Sequence, residues 1–334
     1  MSAREKKWGD VTGMGEVGSG KGRGAGSHVA LCADAGFAVP LAVALASLNN
    51  TAAEEGALAV HIVSSGMSGE LRSRVAEAAP RLVVHWYPVD NRLFLGVNNT
   101  HHLTDAALYR LLLGEILPGE ISRVLYLDAD VVVCDDLSPL IHSDLQGMAV
   151  GAVRDSVAPW AAGVFGPDWR DLGMDSRSEY FNSGVLLIDL QKWRADGVGR
   201  SCIETLRCVK ARWGDQDALN LAAEGEWKEL PRRWNVQTAD LLRDSFSWAL
   251  APEEIEAAVT SPGIVHFTAH DKPWKPGSTH PARDLWFAAL DHTTWSGWRP
   301  KQVAEPDRGL VSQGASAVRA WRRRRRDRAA RLPE

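Results

Sequence analysis

Apolar positions fall into runs that are continuous rather than alternating. From position 28 the run HVALCADA is apolar almost throughout and stops at Asp34-Ala35-Gly36. PLAVALASLNN follows as an apolar helix with Pro40 in its first turn, where a missing N–H breaks no bond. LAVHIVSS (58–65) predicts a second strand, SGELRSRVAEAAP a helix, and RLVVHWYPV (81–89) a third strand. A β-α-β-α-β order with unbroken apolar strands predicts an α/β fold whose parallel sheet is covered on both faces.

The pattern continues with TDAALYRLLLGEIL, a predicted helix capped by Thr104 and ended by Pro118-Gly119. Its Leu108, Leu111, Leu112 and Ile116 recur at helical spacing. RVLYLDADVVV (123–133) predicts one strand carrying two aspartates. MAVGAV (148–153) and YFNSGVLLIDL (180–190) predict two more. Between these lies the polar segment 154–179, too long for a plain connection, which marks it as a lid or binding loop. WGDQDALNLAAEG is a loop-to-helix junction, and GIVHFTAHDKPWKPG (263–277) a late strand entering a Pro/Gly loop.

Composition narrows the function. The 334 residues are 45% apolar and 24% charged, an ordinary globular balance. No apolar run reaches membrane-spanning length, and the N-terminus lacks the apolar core of a secretory leader. Four scattered cysteines (Cys32, Cys134, Cys202, Cys208) without C-x-x-C spacing read as reduced thiols of a cytoplasmic protein. The net charge of −4 excludes a strongly basic nucleic-acid binder, but it averages two unlike parts. Positions 301–334 hold ten basic and four acidic residues, a net of +6, and the preceding 300 residues therefore carry −10. Residues 1–27 are Gly-rich and aperiodic. Gly15–Gly22 half-matches a phosphate-binding P-loop, but Gly22 replaces the metal-binding hydroxyl residue and no strand precedes it.

The chemistry concentrates at Asp128-Ala129-Asp130. Strand alternation predicts both carboxylates on one side, at the carboxyl end of a buried strand, where open α/β sheets bind ligands. Two adjacent carboxylates repel unless a cation neutralises them, and hard oxygen donors suit Mg²⁺ or Mn²⁺ held with substrate phosphates. The alternative is a strand end with two solvated acids. His266 ends GIVHF and offers a third ligand, which tilts the choice toward Mn²⁺. Lys272 supplies a compact charge suited to a phosphate.

Five ordered blocks now carry a resemblance: ALCADAGFAVPLAVALASL, ALYRLLLGEILP with RVLYLDADVVV, YFNSGVLLIDLQKWR, WGDQDALN and HFTAHDKPW. Together, from about His28 to Trp274, they resemble the family-8 retaining glycosyltransferases. That family includes bacterial lipopolysaccharide galactosyl- and glucosyltransferases and the glycogenins. The resemblance implies a GT-A-type fold with a mixed, mainly parallel sheet, a UDP-hexose donor (glucose or galactose), Mn²⁺ or Mg²⁺, and retention at the anomeric carbon. It implies Asp128, Asp130 and His266 as metal ligands, Ala33 and Asp34 at the uracil and Phe37 as the base-stacking ring. It places Arg110, Ala129, Asn182, Ser183, Asp215 and Gln216 around the donor sugar and diphosphate, with Gln216 beneath the anomeric carbon and Lys272 on the diphosphate. Arg110, Asp215, Gln216 and Lys272 are its catalytic set.

Three departures stand out. Ala35-Gly36 replace a second acid near the ribose, Ala269 stands at a family glycine, and His270 is an extra imidazole. His101 and His102 read as loop residues. The expected organisation is a tail (1–27), a catalytic domain (28–299, donor part 28–190 and acceptor part 191–299) and a basic tail (300–334). The acceptor, a saccharide, lipid-linked or other hydroxyl compound, is expected against 154–179 and Trp234, Trp248 and Trp274. Residues 317–332 read as an electrostatic contact with an anionic membrane, with a solvated terminus and attraction to nucleic acid as the alternatives. Two other readings remain open: a haloacid-dehalogenase-type phosphatase with Asp128 as nucleophile and Asp130 as acid/base, and an inactive sugar-nucleotide-binding protein.

Overall fold

The computed structural model describes residues 26–97, 105–163, 166–242 and 251–301. The glycine-rich stretch, His101, His102, Thr104, Trp248 and the basic tail lie outside them. Ten strands are present among these residues: β1 (Ser27–Asp34), β2 (Leu58–Ser65), β3 (Val83–Pro88), β4 (Arg123–Asp128), β5 (Val131–Val133), β6 (Val150–Arg154), β7 (Phe181–Asp189), β8 (Trp227–Glu229), β9 (Val236–Gln237) and β10 (Ile264–His266). Seven form one sheet in the order β3-β2-β1-β4-β7-β6-β8, and three form a small sheet, β5-β10-β9. In the large sheet only β7 runs against its neighbours, so the sheet is mixed and mainly parallel, as the apolar runs predict.

Consecutive residues of β1 feed opposite faces. Val29, Leu31 and Ala33 pack with the helix Ala38–Thr51, while Ala30 and Cys32 pack with 105–117 and the helix Val198–Cys208. This double burial is why the strands read as unbroken apolar runs. In the first helix Leu41, Leu45 and Leu48 are completely buried, and each contributes roughly 1.5–3 kcal/mol on removal from water. Asp34 ends β1 by accepting the Phe37 N–H (3.2 Å), which caps the 3-10 turn leading into that helix.

The connections run outward from β1 to β2 and β3, then return to β4 on its other side. The carboxyl ends of β1 and β4 therefore border a topological switch point, the crevice where such sheets bind ligands. Cys32 pairs with Asp128 at that edge.

Two expectations need correction. Residues 123–133 are not one strand: β4 stops at Asp128, the chain bends at Ala129-Asp130, and Val131–Val133 joins the small sheet against β10. The Asp130 carbonyl accepts the Phe267 N–H (3.0 Å), so pairing with a distant strand competes with continuation of the local one. Likewise 105–116 winds as a 3-10 helix (Asp105–Leu112) with one α-turn after it (Leu113–Ile116). The Ala107 carbonyl there accepts the Arg110 Nε–H (2.9 Å), a side-chain bond that competes for an acceptor of the regular ladder. No helix of the described residues is long and apolar enough to cross a membrane.

Candidate active site

A cleft of about 470 Å³ opens at the switch point. Ala33, Phe37, Arg110, Asp128, Ala129, Asp130, Ser183, Asp215, Gln216 and Lys272 all line it. Asn182 and His266 sit just behind this wall, within reach of Gln216 and Asp130 respectively. Asp34 is not among the lining residues, because its carboxylate caps the turn at Phe37.

Asp128, Asp130 and His266 each turn one ligand atom inward, and these atoms lie within 4.8 Å of one another. The two carboxylates meet through the bend at Ala129 and not through strand alternation. His266 Nε2 is 3.2 Å from Asp130 and 3.7 Å from Asp128. Its Nδ1 faces Asn235 Oδ1 at 3.0 Å. Asn235 donates its amide to Asn182 Oδ1 (2.9 Å), so its own oxygen is an acceptor and His266 Nδ1 carries the hydrogen. The Nε2 lone pair is thereby left toward the aspartates. Gly184 makes room for this ring: a Cβ there would stand 2.1 Å from His266 Cε1 and 2.8 Å from Asp128 Oδ2. Two acids, one imidazole of fixed tautomer and a fixed orienting amide suit a divalent cation.

Lys272 Nζ lies 2.6 Å from Asp130 Oδ2 and also donates to the Phe267 carbonyl. Burial resists the Asp130 charge, but Lys272 and His266 outweigh it and hold the carboxyl well below its usual range. Arg110 is the central brace. Its guanidinium lies 3.1 Å from Asp128 and 2.8 Å from Asp215, and it donates to the Ser183 carbonyl (2.5 Å). Burial works against this charge, yet Asp128 and Asp215 outweigh it and raise the pKa further.

Asp215 is almost fully buried at the start of the helix Asp215–Ala222. Burial pushes its carboxyl up to about 6, against the pull of Arg110. The Arg110 Nε–H points to Ala107, so Asp215 Oδ2 receives no aligned hydrogen bond among the described residues. That oxygen instead faces the Arg110 guanidinium at 2.8 Å, an ion pair that offsets the buried charge. Next to it, Gln216 Oε1 accepts from Ser183 N (3.0 Å) and faces Asn182 Nδ2 (3.3 Å). Its Nε2 faces Asp155 Oδ2 (3.4 Å), which fixes the amide's orientation.

Asp155 and Asn235 lie outside the sequence motifs, and Gly184 and Asp217 lie inside two of them without a role read from the sequence. Asp217 is fully buried, accepts the Tyr180 hydroxyl (2.6 Å) and the Trp213 N–H (2.8 Å), and so sets the loop before Asp215. Asp155 had one available signal, a polar residue directly after the apolar strand MAVGAVR, like Asp128. Trp234 does not serve as a stacking surface: it is buried, and Gly263 packs against its ring. Trp274 does line the cleft, 6.0 Å edge-on from Phe37.

The chain matches the family model "Glycosyl transferase family 8" over residues 28–277. It is 28% identical to the Bacillus subtilis general stress protein A over 277 residues, 80% of this chain and 94% of that one. It is 29% identical to the Escherichia coli lipopolysaccharide 1,2-glucosyltransferase over 200 residues, 59% of this chain and 57% of that one. Among solved structures it resembles the galactosyltransferase LgtC in complex with donor and acceptor sugar analogs, with a TM-score of 0.70 and 27% identity, covering 80% of this chain and 96% of that one. That likeness makes the mixed sheet a GT-A-type α/β fold. A family match across most of its length places the chain in glycosyltransferase family 8, and the protein is a glycosyltransferase.

Proposed function

We propose that the protein transfers a hexose from UDP-glucose or UDP-galactose to a hydroxyl of a saccharide or lipid-linked acceptor, with retention of anomeric configuration. One observation carries this reading: three ligand atoms, with the His266 tautomer set by Asn235, converge beside Lys272 in the cleft that the Arg110–Asp215 pair also lines. The glucosyl- and galactosyltransferase names of the relatives support the choice of hexose.

Asp128, Asp130 and His266 are the residues that hold Mn²⁺ or Mg²⁺. A bound divalent cation supplies charge neutralisation for a departing diphosphate. Lys272 turns from Asp130 to the phosphate, where it stabilises charge that develops as the glycosidic bond breaks. Phe37, with Trp274 edge-on beside it, supports the base, and Ala33 allows its close approach. Asp215 accepts donor-sugar hydroxyls, and Arg110 keeps Asp215 and Asp128 at a fixed separation. Ser183 and Asn182 hold the Gln216 amide against the sugar pocket.

The bond from the anomeric carbon to the phosphate oxygen breaks with its electron pair on phosphate. The acceptor oxygen attacks from the face the diphosphate leaves, and its proton passes to that phosphate. Gln216 stands where a double displacement needs a nucleophile, and an amide is a poor one. Asp128 supports a structural and ligating role better than a phosphatase nucleophile, since its Oδ1 already accepts the Tyr126 hydroxyl (2.6 Å) and faces Arg110.

The catalytic unit is residues 28–299, and residues 317–332 contact anionic membrane from the cytoplasmic side. The decisive assay is hydrolysis of UDP-glucose and UDP-galactose with and without Mn²⁺. Release of UDP only with the metal, lost in Asp130→Ala, is the expected result. Phosphate release from a phosphomonoester with no UDP-sugar turnover contradicts it.

A further inference from the structure

Aromatic side chains at two places on the cleft wall, Phe37 with Trp274 at one and Trp213 at the other, are joined by a line of contacts. Phe37 meets Trp274 edge-on, and Lys272 Nζ stands 5.9 Å from the Trp274 ring centre. Lys272 touches Asp130, which neighbours His266 and, through it, Asp128. Arg110 links Asp128 to Asp215 and Ser183, and Gln216 closes on Ser183. The line ends at Trp213, two residues before Asp215 and on the cleft wall. If the base lies at Phe37 and the hexose at Asp215, the space beside Trp213 receives the other substrate.

Trp213 is an unusual residue to leave in water. Five large apolar side chains are exposed among the described residues, and of these only Trp213, at 40%, lines the cleft. Its backbone is nevertheless tightly held. The Trp213 N–H is donated to Asp217 Oδ2 (2.8 Å), and Asp217 is itself clamped by the buried Tyr180 hydroxyl (2.6 Å). The next residue, Gly214, adopts φ 60° and ψ −125°, a conformation open only to glycine. Arg212 stands over the indole at 5.3 Å from its centre and donates to the Gly166 carbonyl (3.2 Å), which ties the ring to the segment 154–179. A rigid backbone presenting an exposed indole to a polar cleft is the arrangement of a stacking platform: large contact area at small ordering cost.

We infer that Trp213 is the acceptor platform, stacking one pyranose ring of the acceptor glycoside next to the donor hexose, with Arg212 as its brace. This rests on the donor reading above. It assigns the acceptor class as a glycoside with an accessible apolar ring face, in preference to a peptide hydroxyl. It also relocates acceptor recognition from Trp234, which is buried, to the loop before Asp215.

The test is binding of methyl β-glucopyranoside and methyl β-galactopyranoside to the full chain with UDP and Mg²⁺, followed by saturation-transfer NMR. Wild type is expected to bind at least one of them. Trp213→Ala is expected to weaken it at least about tenfold, the worth of one covered indole face, and Trp213→Phe to retain affinity within about threefold. Glycoside affinity unchanged in Trp213→Ala overturns the inference. So does wild type binding UDP but neither glycoside, and so does a variant that loses UDP and glycoside together, which marks a positioning residue instead. Wild type that binds no UDP with Mg²⁺ overturns the donor reading, and this inference with it.

Discussion

Asn235 Oδ1 lies 3.0 Å from His266 Nδ1, and that contact decides which imidazole nitrogen faces the two aspartates. Asn235 cannot turn over, because its amide nitrogen is committed to Asn182 (2.9 Å). The orientation of the His266 imidazole therefore depends on a residue outside the Asp128, Asp130 and His266 cluster. Asn235→Ala is expected to lower Mn²⁺ affinity about 10–100-fold, the usual worth of an orienting partner. Asn235→Asp, which keeps the acceptor, should recover most of it. Isothermal titration with Mn²⁺ reads both. Equal affinity in wild type and Asn235→Ala would remove the orienting role.

Asp215 makes the reaction acid-sensitive. Burial raises its carboxyl to about 6, so it takes up a proton as pH falls through that value. Protonation removes the negative charge that faces Arg110 and turns one carboxyl oxygen into a donor. UDP-hexose hydrolysis should therefore decline below about pH 6, following one group. Asp215→Asn should be slow at every pH and lose that limb. A variant that is slow but keeps the same acid limb would assign the titration elsewhere.

The basic tail makes a prediction independent of catalysis. Truncation after Pro300 removes ten basic and four acidic residues. Each basic residue near an anionic surface is worth about 1 kcal/mol, and salt screens it. Co-sedimentation with phosphatidylglycerol vesicles should drop sharply on truncation and fall with added salt, while UDP-hexose hydrolysis persists. Unchanged sedimentation would make the tail a solvated terminus.

His61 governs stability at the far side of the sheet. It is 3% exposed, lies 3.0 Å from both His28 Nδ1 and the Tyr87 hydroxyl, and stacks on His85. Burial first, then His28 and His85, pushes its pKa down to about 3. The unfolded chain thus binds a proton below about pH 6.5 that the folded chain refuses, and stability falls as pH drops from there toward 3. At pH 5 the loss is about 2 kcal/mol from this group alone. His61→Gln should flatten the slope of urea-unfolding stability between pH 6.5 and 5. An unchanged slope would assign the acid sensitivity elsewhere.

The strands were the most legible part of the sequence: the run 58–65 coincides with Leu58–Ser65, where seven of the eight residues are buried. The cleft residues were legible as motifs because Asp128 and Asp215 sit at ends of elements and Lys272 in the Pro/Gly loop after β10, where polar side chains follow apolar runs. The supports were not legible. Asn235 and Asn182 are 53 residues apart, and no local pattern records their bond. The bend at Ala129 was hidden because VVV looks like a strand in either sheet, and only β10, more than 130 residues later, decides which. Trp234 looked like a stacking surface because aromatic side chains carry no mark of which face is covered.

Ala269 tests the clearest departure from the family pattern. It lines the cleft with φ +69°, in the left-handed region that costs a non-glycine residue about 1–2 kcal/mol. It cannot relax, because the chain is pinned on both sides: the Thr268 carbonyl accepts the Thr238 hydroxyl (2.8 Å), and the His270 carbonyl accepts Lys275 Nζ (3.1 Å). Glycine removes the strain but gives the unfolded chain about 0.5–1 kcal/mol more freedom. Ala269→Gly should therefore stabilise by about 0.5–1 kcal/mol, a rise of roughly 1–4 °C in Tm. Ala269→Val, with a branched Cβ in the same conformation, should destabilise by more than that. Because Ala269 lines the cleft proposed to hold the donor, Ala269→Gly should also lower the KM for the UDP-hexose. A lower Tm for Ala269→Gly would show that Ala269 packing outweighs its strain.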